Sequence, residues 1–283
     1  MKMRKPALFY AVLMCAIVLT LTGGYATIAD AASTPSSPNT HSTSPEKLPG
    51  YLGKEEVPDS LGLLPPPPAP GSVAFALDED VAQRTFSLRE TPRFAMAHLD
   101  YDLTFPNAAG TFSCALNAPV TEQDTPTLYR LLRRVRTDAS RATSAAKEHY
   151  QRPRPFMVNH EPTCAPEAEA YLAKNGSFPS GHTTTGWAWA LILAEISPDR
   201  ADMVMVRARV YGENRNVCNH HWYSDVEWGR TMAAATVARL HTSQEFRTDL
   251  EIARKELAAV RAKGLAPTRD CAAEAAAMAI QPY

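Results

Sequence analysis

Apolar positions recur along the chain at helical spacing and almost nowhere at the spacing of two that a half-buried strand requires. After Thr125-Pro126, which reads as an N-cap followed by proline at the first helical position, Leu128, Leu131, Leu132 and Val135 form one stripe with Arg130, Arg133, Arg134 and Arg136 around it. The pattern predicts a helix running to about Tyr150, before Pro153 and Pro155. Thr183 to Ile196 is apolar on nearly every side, which predicts a central, buried helix. Another helix restarts at Ser197-Pro198 with Met203, Val206 and Val210. One more runs from about Tyr223 to Leu240, its small residues Ala233 to Ala235 suited to close packing. Thr242 and Glu245 read as a capping box for the last long helix, which carries Phe246, Leu250, Ala253, Leu257 and Val260 on one side and stops at Gly264. The alanine-rich tail from Cys271 to Tyr283 is ambiguous. The expected fold is an all-α, single-domain helical bundle.

The start of the chain departs from this pattern. Lys2, Arg4 and Lys5 precede an apolar run from Ala7 to Leu21, and Ala29-Asp30-Ala31 offers a small-x-small cleavage site, so residues 1–31 read as a signal peptide. Residues 32–50 are rich in Ser, Thr and Pro and predict a flexible leader, with the folded catalytic domain spanning 51–283. The proline block Pro65 to Pro68 must be extended, while Leu61, Leu63 and Leu64 before it suggest an arm packed on the body.

Composition narrows the class. With 283 residues and 45% apolar content, the chain can bury a sizeable core. A mean hydropathy of −0.26 excludes a polytopic membrane protein. The balance of 29 Lys+Arg against 30 Asp+Glu argues against a nucleic-acid partner. An exported protein, periplasmic or secreted and free of the membrane after signal cleavage, is the expectation. Cys114, Cys164, Cys218 and Cys271 then lie in an oxidising compartment and predict two disulfides, with all three pairings open. No close Cys-x-x-Cys pair and no dense Asp/His cluster suggests a metal site.

Three clusters carry the chemistry. Lys147-Glu-His-Tyr-Gln-Arg-Pro-Arg154-Pro155 ends a helix, Phe178-Pro179-Ser180-Gly181-His182 opens the apolar helix, and Arg215-Asn-Val-Cys-Asn-His-His221-Trp-Tyr-Ser-Asp225 precedes another. Together they supply cationic donors, a helix N-terminus with free N–H groups, a nucleophile and a proton donor, as a phosphoryl group requires. Trp187, Trp189 and Trp222 lie near these clusters and read as core in preference to pocket lining.

The set Lys147-x6-Arg154-Pro155, Pro179-Ser180-Gly181-His182 and Arg215-x5-His221-x3-Asp225 resembles the tripartite signature of the phosphatidic acid phosphatase type 2 superfamily, which includes vanadium haloperoxidases. The stretches PDSLGLLPPPP, Ser144-Ala-Ala-Lys-Glu, Lys174-Asn-Gly-Ser-Phe-Pro-Ser-Gly-His182 and His221-Trp-Tyr-Ser-Asp225-Val are further similar to the class A bacterial non-specific acid phosphatases. The resemblance spans Tyr51 to Lys263. It implies a cofactor-free phosphomonoesterase with His221 as nucleophile, Asp225 orienting it, and His182 as general acid and then base. Lys147, Arg154, Arg215, Ser180 and Gly181 would hold the phosphoryl oxygens. Nucleotides, sugar phosphates and aryl phosphates are candidate substrates, transfer to an alcohol is open to the same intermediate, and a homo-oligomer is implied. The alternative use of the pocket is a vanadate-dependent haloperoxidase. Asn214 stands where the family usually has serine, which predicts altered substrate preference. His220 adjoins His221 and would point about 100° away from it in a helix.

Overall fold

The computed structural model describes residues 48–283; the expected signal peptide and most of the expected leader lie outside the described residues. Leu48 to Gly50, expected to belong to the leader, are bound to the body. Thr137 donates to the carbonyl of Leu48, and Arg134 donates to those of Pro49 and Gly50. Among the described residues every regular element is a helix, without a strand.

Nine helices carry the architecture: α1 (Val73–Thr85), α2 (Pro92–Leu99), α3 (Pro126–Ala142), α4 (Ser144–Tyr150), α5 (Gly181–Ile196), α6 (Ala201–Val217), α7 (Tyr223–Leu240), α8 (Gln244–Ala262) and α9 (Cys271–Met278), with shorter turns between them among the described residues. The apolar α5 is the axis of the bundle, and α3, α6, α7 and α8 pack around it. Trp189 and Ile192 are fully buried, and the Trp189 indole N–H donates to the carbonyl of Leu132 on α3 at 2.8 Å. That bond satisfies a polar group that would otherwise be costly in the core.

Several local expectations are revised. The helix after Pro126 breaks at Thr143, and α4 starts afresh at Ser144. Thr125 occupies the N-cap position but makes no side-chain cap. Glu256 of α8 reaches across instead and accepts from the N–H groups of Thr127 and Leu128. Ser243, one residue past Thr242, caps α8 by accepting from Phe246 N–H. Met203 and Val206 are exposed, since α6 buries the face bearing Val204, Ala208 and Val210. Of the leucines before the proline block only Leu64 is buried. The ambiguous tail forms α9, held by Cys114–Cys271, while Cys164–Cys218 is the second crosslink.

Gly229 lets α7 touch the start of α5. A Cβ there would stand 2.8 Å from the Ser180 carbonyl oxygen and 3.0 Å from Thr183 Cβ, closer than packed atoms allow. Gly229→Ala is expected to cost about 1–3 kcal/mol in urea unfolding, the scale of overpacking. It should also lower activity, because the Ser180 carbonyl and Thr183 at the start of α5 are pushed.

Candidate active site

The three clusters converge at the N-terminal end of α5. After α3 breaks, α4 carries Lys147 toward this end, where its ammonium donates to the carbonyls of Gly176 (2.6 Å) and Ser177 (3.2 Å). A Cβ on Gly176 would lie 2.5 Å from the Lys147 carbonyl oxygen, so this approach requires glycine. Arg154 is buried and donates through Nε to the carbonyls of Leu172 and Asn175, and through Nη1 to the His220 carbonyl. Arg215, at the end of α6, is fully buried. Its Nη2 donates to the Ala97 carbonyl at 2.7 Å, while Nε and Nη1 have no acceptor. A buried guanidinium with unmet donors is fitted to an anion.

Ser180 caps α5. Its hydroxyl oxygen accepts from Thr183 N–H and Thr183 Oγ1, leaving its own proton for another acceptor. Its backbone N–H donates to the Asp225 carbonyl at 2.9 Å. The helix start therefore offers the N–H groups of Gly181 and His182, which no i−4 carbonyl can satisfy. Gly181 meets only ordinary neighbours at the Cβ position, Thr143 Oγ1 at 3.6 Å and Lys147 Cε at 3.9 Å. Lys147, Gly181 and His182 are half-buried and line the opening.

The two histidines are held in defined tautomers. His182 Nε2 lies 2.8 Å from the Tyr101 carbonyl, which can only accept, so Nε2 carries the proton and Nδ1 is free. The Tyr101 ring stacks on the His182 ring at 5.5 Å. His221 Nδ1 lies 3.3 Å from Asp225 Oδ2, and its Nε2 lies 3.1 Å from Arg154 Nη1. The turn that presents His221 is not helical: Asn219 has φ +60°, and the N–H groups of His220 and His221 both donate to the Arg215 carbonyl. His220 is thereby directed to the disulfide, 3.4 Å from Cys218 Sγ, and not to Asp225.

Asp225 accepts from four groups: Arg152 Nη1 (2.6 Å), Ser177 Oγ (2.5 Å), Trp222 N–H (2.9 Å) and His221 Nδ1. Arg152 also donates to Ser224 Oγ and, through Nη2, to buried Asp78 at 2.6 Å. Arg152, Ser177, Asp78 and Tyr101 escaped the sequence reading. Arg152 and Ser177 lie within the recognised stretches. Asp78 and Tyr101 are brought in only by tertiary packing. Asn214 faces away from the opening, donating to Asp100 and accepting from Arg93 in a buried network that includes Arg207. This accounts for a polar residue there without a direct role against substrate. Trp189 and Trp222 are buried, in line with the core reading.

Electrostatics follow from enclosing several cations together. Burial, then Arg154 and Lys147, hold His221 well below the ordinary imidazole value. Burial and Arg215 bring His182 down to about 3. Burial and Arg154 lower Lys147, with Asp225 opposing. Among the described residues no group of three or more His, Cys, Asp or Glu side chains is placed to hold a metal ion.

The PAP2 superfamily model matches residues 137–249, the span that holds all three clusters. A non-specific acid phosphatase of Providencia stuartii is 42% identical over 212 residues, covering 75% of this chain and 86% of that protein. An acid phosphatase of Zymomonas mobilis is 38% identical, covering 74% and 79%. A non-specific acid phosphatase of Salmonella typhimurium is also 38% identical, covering 76% and 86%. The chain therefore belongs to the PAP2 superfamily and, within it, to the non-specific acid phosphatases.

Breaking the Arg152 bridge leaves a buried carboxylate unpaired. Arg152→Met is expected to cost about 3–5 kcal/mol of stability, and Asp78→Asn less, because Arg152 keeps its pair with Asp225. In the double variant the losses should be less than additive, as a double-mutant cycle in urea would measure. His182, His220 and His221 all sit below their unfolded values. The unfolded chain therefore binds more protons below about pH 6.5, and each group removes up to about 1.4 kcal/mol of stability per pH unit there. Unfolding free energy should fall from about pH 7 to pH 5, and inorganic phosphate should restore part of it.

Proposed function

We propose that the protein is an exported, metal-independent phosphomonoesterase that works through a phosphohistidine. The observation that carries this reading is the His221 ring, with Nδ1 on Asp225 and Nε2 beside Arg154. Because Asp225 accepts at Nδ1, the lone pair is at Nε2, the nitrogen that attacks phosphorus. A P–N bond forms as the P–O bond to the leaving group breaks, and Asp225 stabilises the imidazolium. His182 donates a proton from Nδ1 to the leaving oxygen. Water then attacks the phosphohistidine, His182 takes its proton, the P–N bond breaks and phosphate departs. An alcohol in place of water gives transphosphorylation. Lys147, Arg154, Arg215, Ser180 and the Gly181 and His182 N–H groups hold the phosphoryl oxygens, where fixed charges act on the loose transition state.

Substrates are small phosphate monoesters, among them nucleotides, sugar phosphates and aryl phosphates. The phosphatase names of the relatives favour hydrolysis over the haloperoxidase use of the same pocket. Residues 1–31 act as the signal peptide, 32–50 as a leader whose last three residues are bound to the body, and 51–283 as the catalytic domain. No helix among the described residues is long and apolar enough to cross a membrane. The class A resemblance extends the proposal to a homo-oligomer, which light scattering after size exclusion tests.

The depressed His221 keeps the nucleophile neutral in acid. His182 is low in the free pocket and must gain its proton with the anionic substrate, so activity declines as pH rises. The expected profile of kcat, which reports the substrate-bound enzyme, is bell-shaped with an acidic optimum. The decisive measurement is p-nitrophenyl phosphate hydrolysis with excess EDTA at about pH 5 to 6, wild type against His221→Ala. Loss of at least about a thousandfold and disappearance of an acid-labile phosphoenzyme are expected. EDTA-sensitive activity would defeat the metal-free mechanism, and full activity in the variant would move the nucleophile elsewhere.

A further inference from the structure

Arg136 stands beside the phosphate site without serving it. It lies on the face of α3 that also carries Tyr129 and Leu132 before it and Thr143 just past its end. Three contacts show where that face looks. Tyr129 packs edge-on against Phe105 at 5.0 Å, the Leu132 carbonyl accepts from Trp189 of α5, and Thr143 Oγ1 approaches Gly181. Arg136 therefore sits between the Asp102–Phe105 loop and the start of α5. It is half-buried, and its guanidinium makes no hydrogen bond or ion pair among the described residues. Its charge is felt at His182, where it adds to burial and Arg215, and at Asp102. Asp102 forms no ion pair with it; the two Asp102 oxygens accept from Thr104 and Asn107.

A half-buried guanidinium that no carboxylate of the protein pairs with is matched to a carboxylate or phosphoryl oxygen arriving from outside. In the mechanism above, His182 protonates the departing oxygen and so marks the side on which the alcohol or phenol portion lies. We propose that Arg136 forms a second anion subsite on the leaving-group side, selecting phosphate monoesters whose alcohol or phenol portion bears its own carboxylate or phosphoryl group. The proposal rests on the role given to His182. An anion remote from the reacting bond is held alike in ground and transition states, so the gain falls in KM and not in kcat.

The test compares meta-carboxyphenyl phosphate with meta-carbamoylphenyl phosphate, which differ in charge but hardly in size. Wild type is expected to favour the carboxylated ester about tenfold in kcat/KM, mostly through KM, the scale of one charge-assisted hydrogen bond. Arg136→Met should abolish the preference, Arg136→Lys should keep part of it, and Asp102→Asn should enlarge it by removing a repelling charge. A merely structural role for Arg136 would lower both esters together. The same ratio in wild type and Arg136→Met, or no preference in wild type, overturns the subsite while leaving the phosphatase reading intact. No turnover of either ester by wild type overturns that reading and the subsite with it.

Discussion

A buried carboxylate must be surrounded by donors or the fold cannot keep it ionised, and Asp225 meets that demand by drawing on every part of the site. Its side chain accepts from Arg152 in the first cluster, from Ser177 just before the second, and from Trp222 and His221 in the third. Its backbone carbonyl takes the N–H of Ser180, which caps α5. The clusters are far apart in sequence, and this one residue sets their register. Arg152 then hands the charge on to Asp78 in α1. Displacing Asp225 would therefore disturb the nucleophile, the helix N-terminus and the packing of α1 together.

The same pocket gathers more positive charge than its protein partners offset. Lys147, Arg154 and Arg215 share it with three histidines that burial and mutual repulsion hold neutral. Arg215 keeps two donors without an acceptor. Such an arrangement is costly in the free protein and is relieved by an anion, so stability and ligand affinity are coupled through one electrostatic term. In the proposed mechanism the neutral state of the histidines has a chemical use as well. A protonated His221 could not attack phosphorus, and the neighbouring cations make protonation difficult in the acid range.

Much of this was legible in the sequence, for identifiable reasons. Phosphoryl chemistry needs particular residue types at short fixed spacings, so Lys147, Arg154, His182, Arg215, His221 and Asp225 stand out without any structure. The unbroken apolar run of α5 and the one-sided stripe of α8 also announce themselves. Other features carry no local mark. The break falls at Thr143-Ser144, residues of modest helix propensity that the apolar stripe of α3 does not mark as an end, and Lys147 beyond it donates to Gly176. Tyr101 acts through its carbonyl, which every residue has, so its hold on His182 cannot be read from residue type. The spacing to Arg215 and Asp225 selects His221 over His220, but the helical offset of about 100° between them does not form. The real turn has a left-handed Asn219, and the separation comes from the disulfide and Asp225.

The crosslinks have a topological consequence. Cys164–Cys218 closes a ring nested within the larger ring of Cys114–Cys271, and the larger ring contains every residue assigned to substrate or to proton transfer. The stretch around Tyr171 lies in both rings and is open to solvent, Tyr171 itself being 68% exposed. A protease that cuts the chain there separates no catalytic group from the rest. The nicked enzyme stays one covalent molecule, and in an environment rich in proteases it can be cleaved without being taken apart.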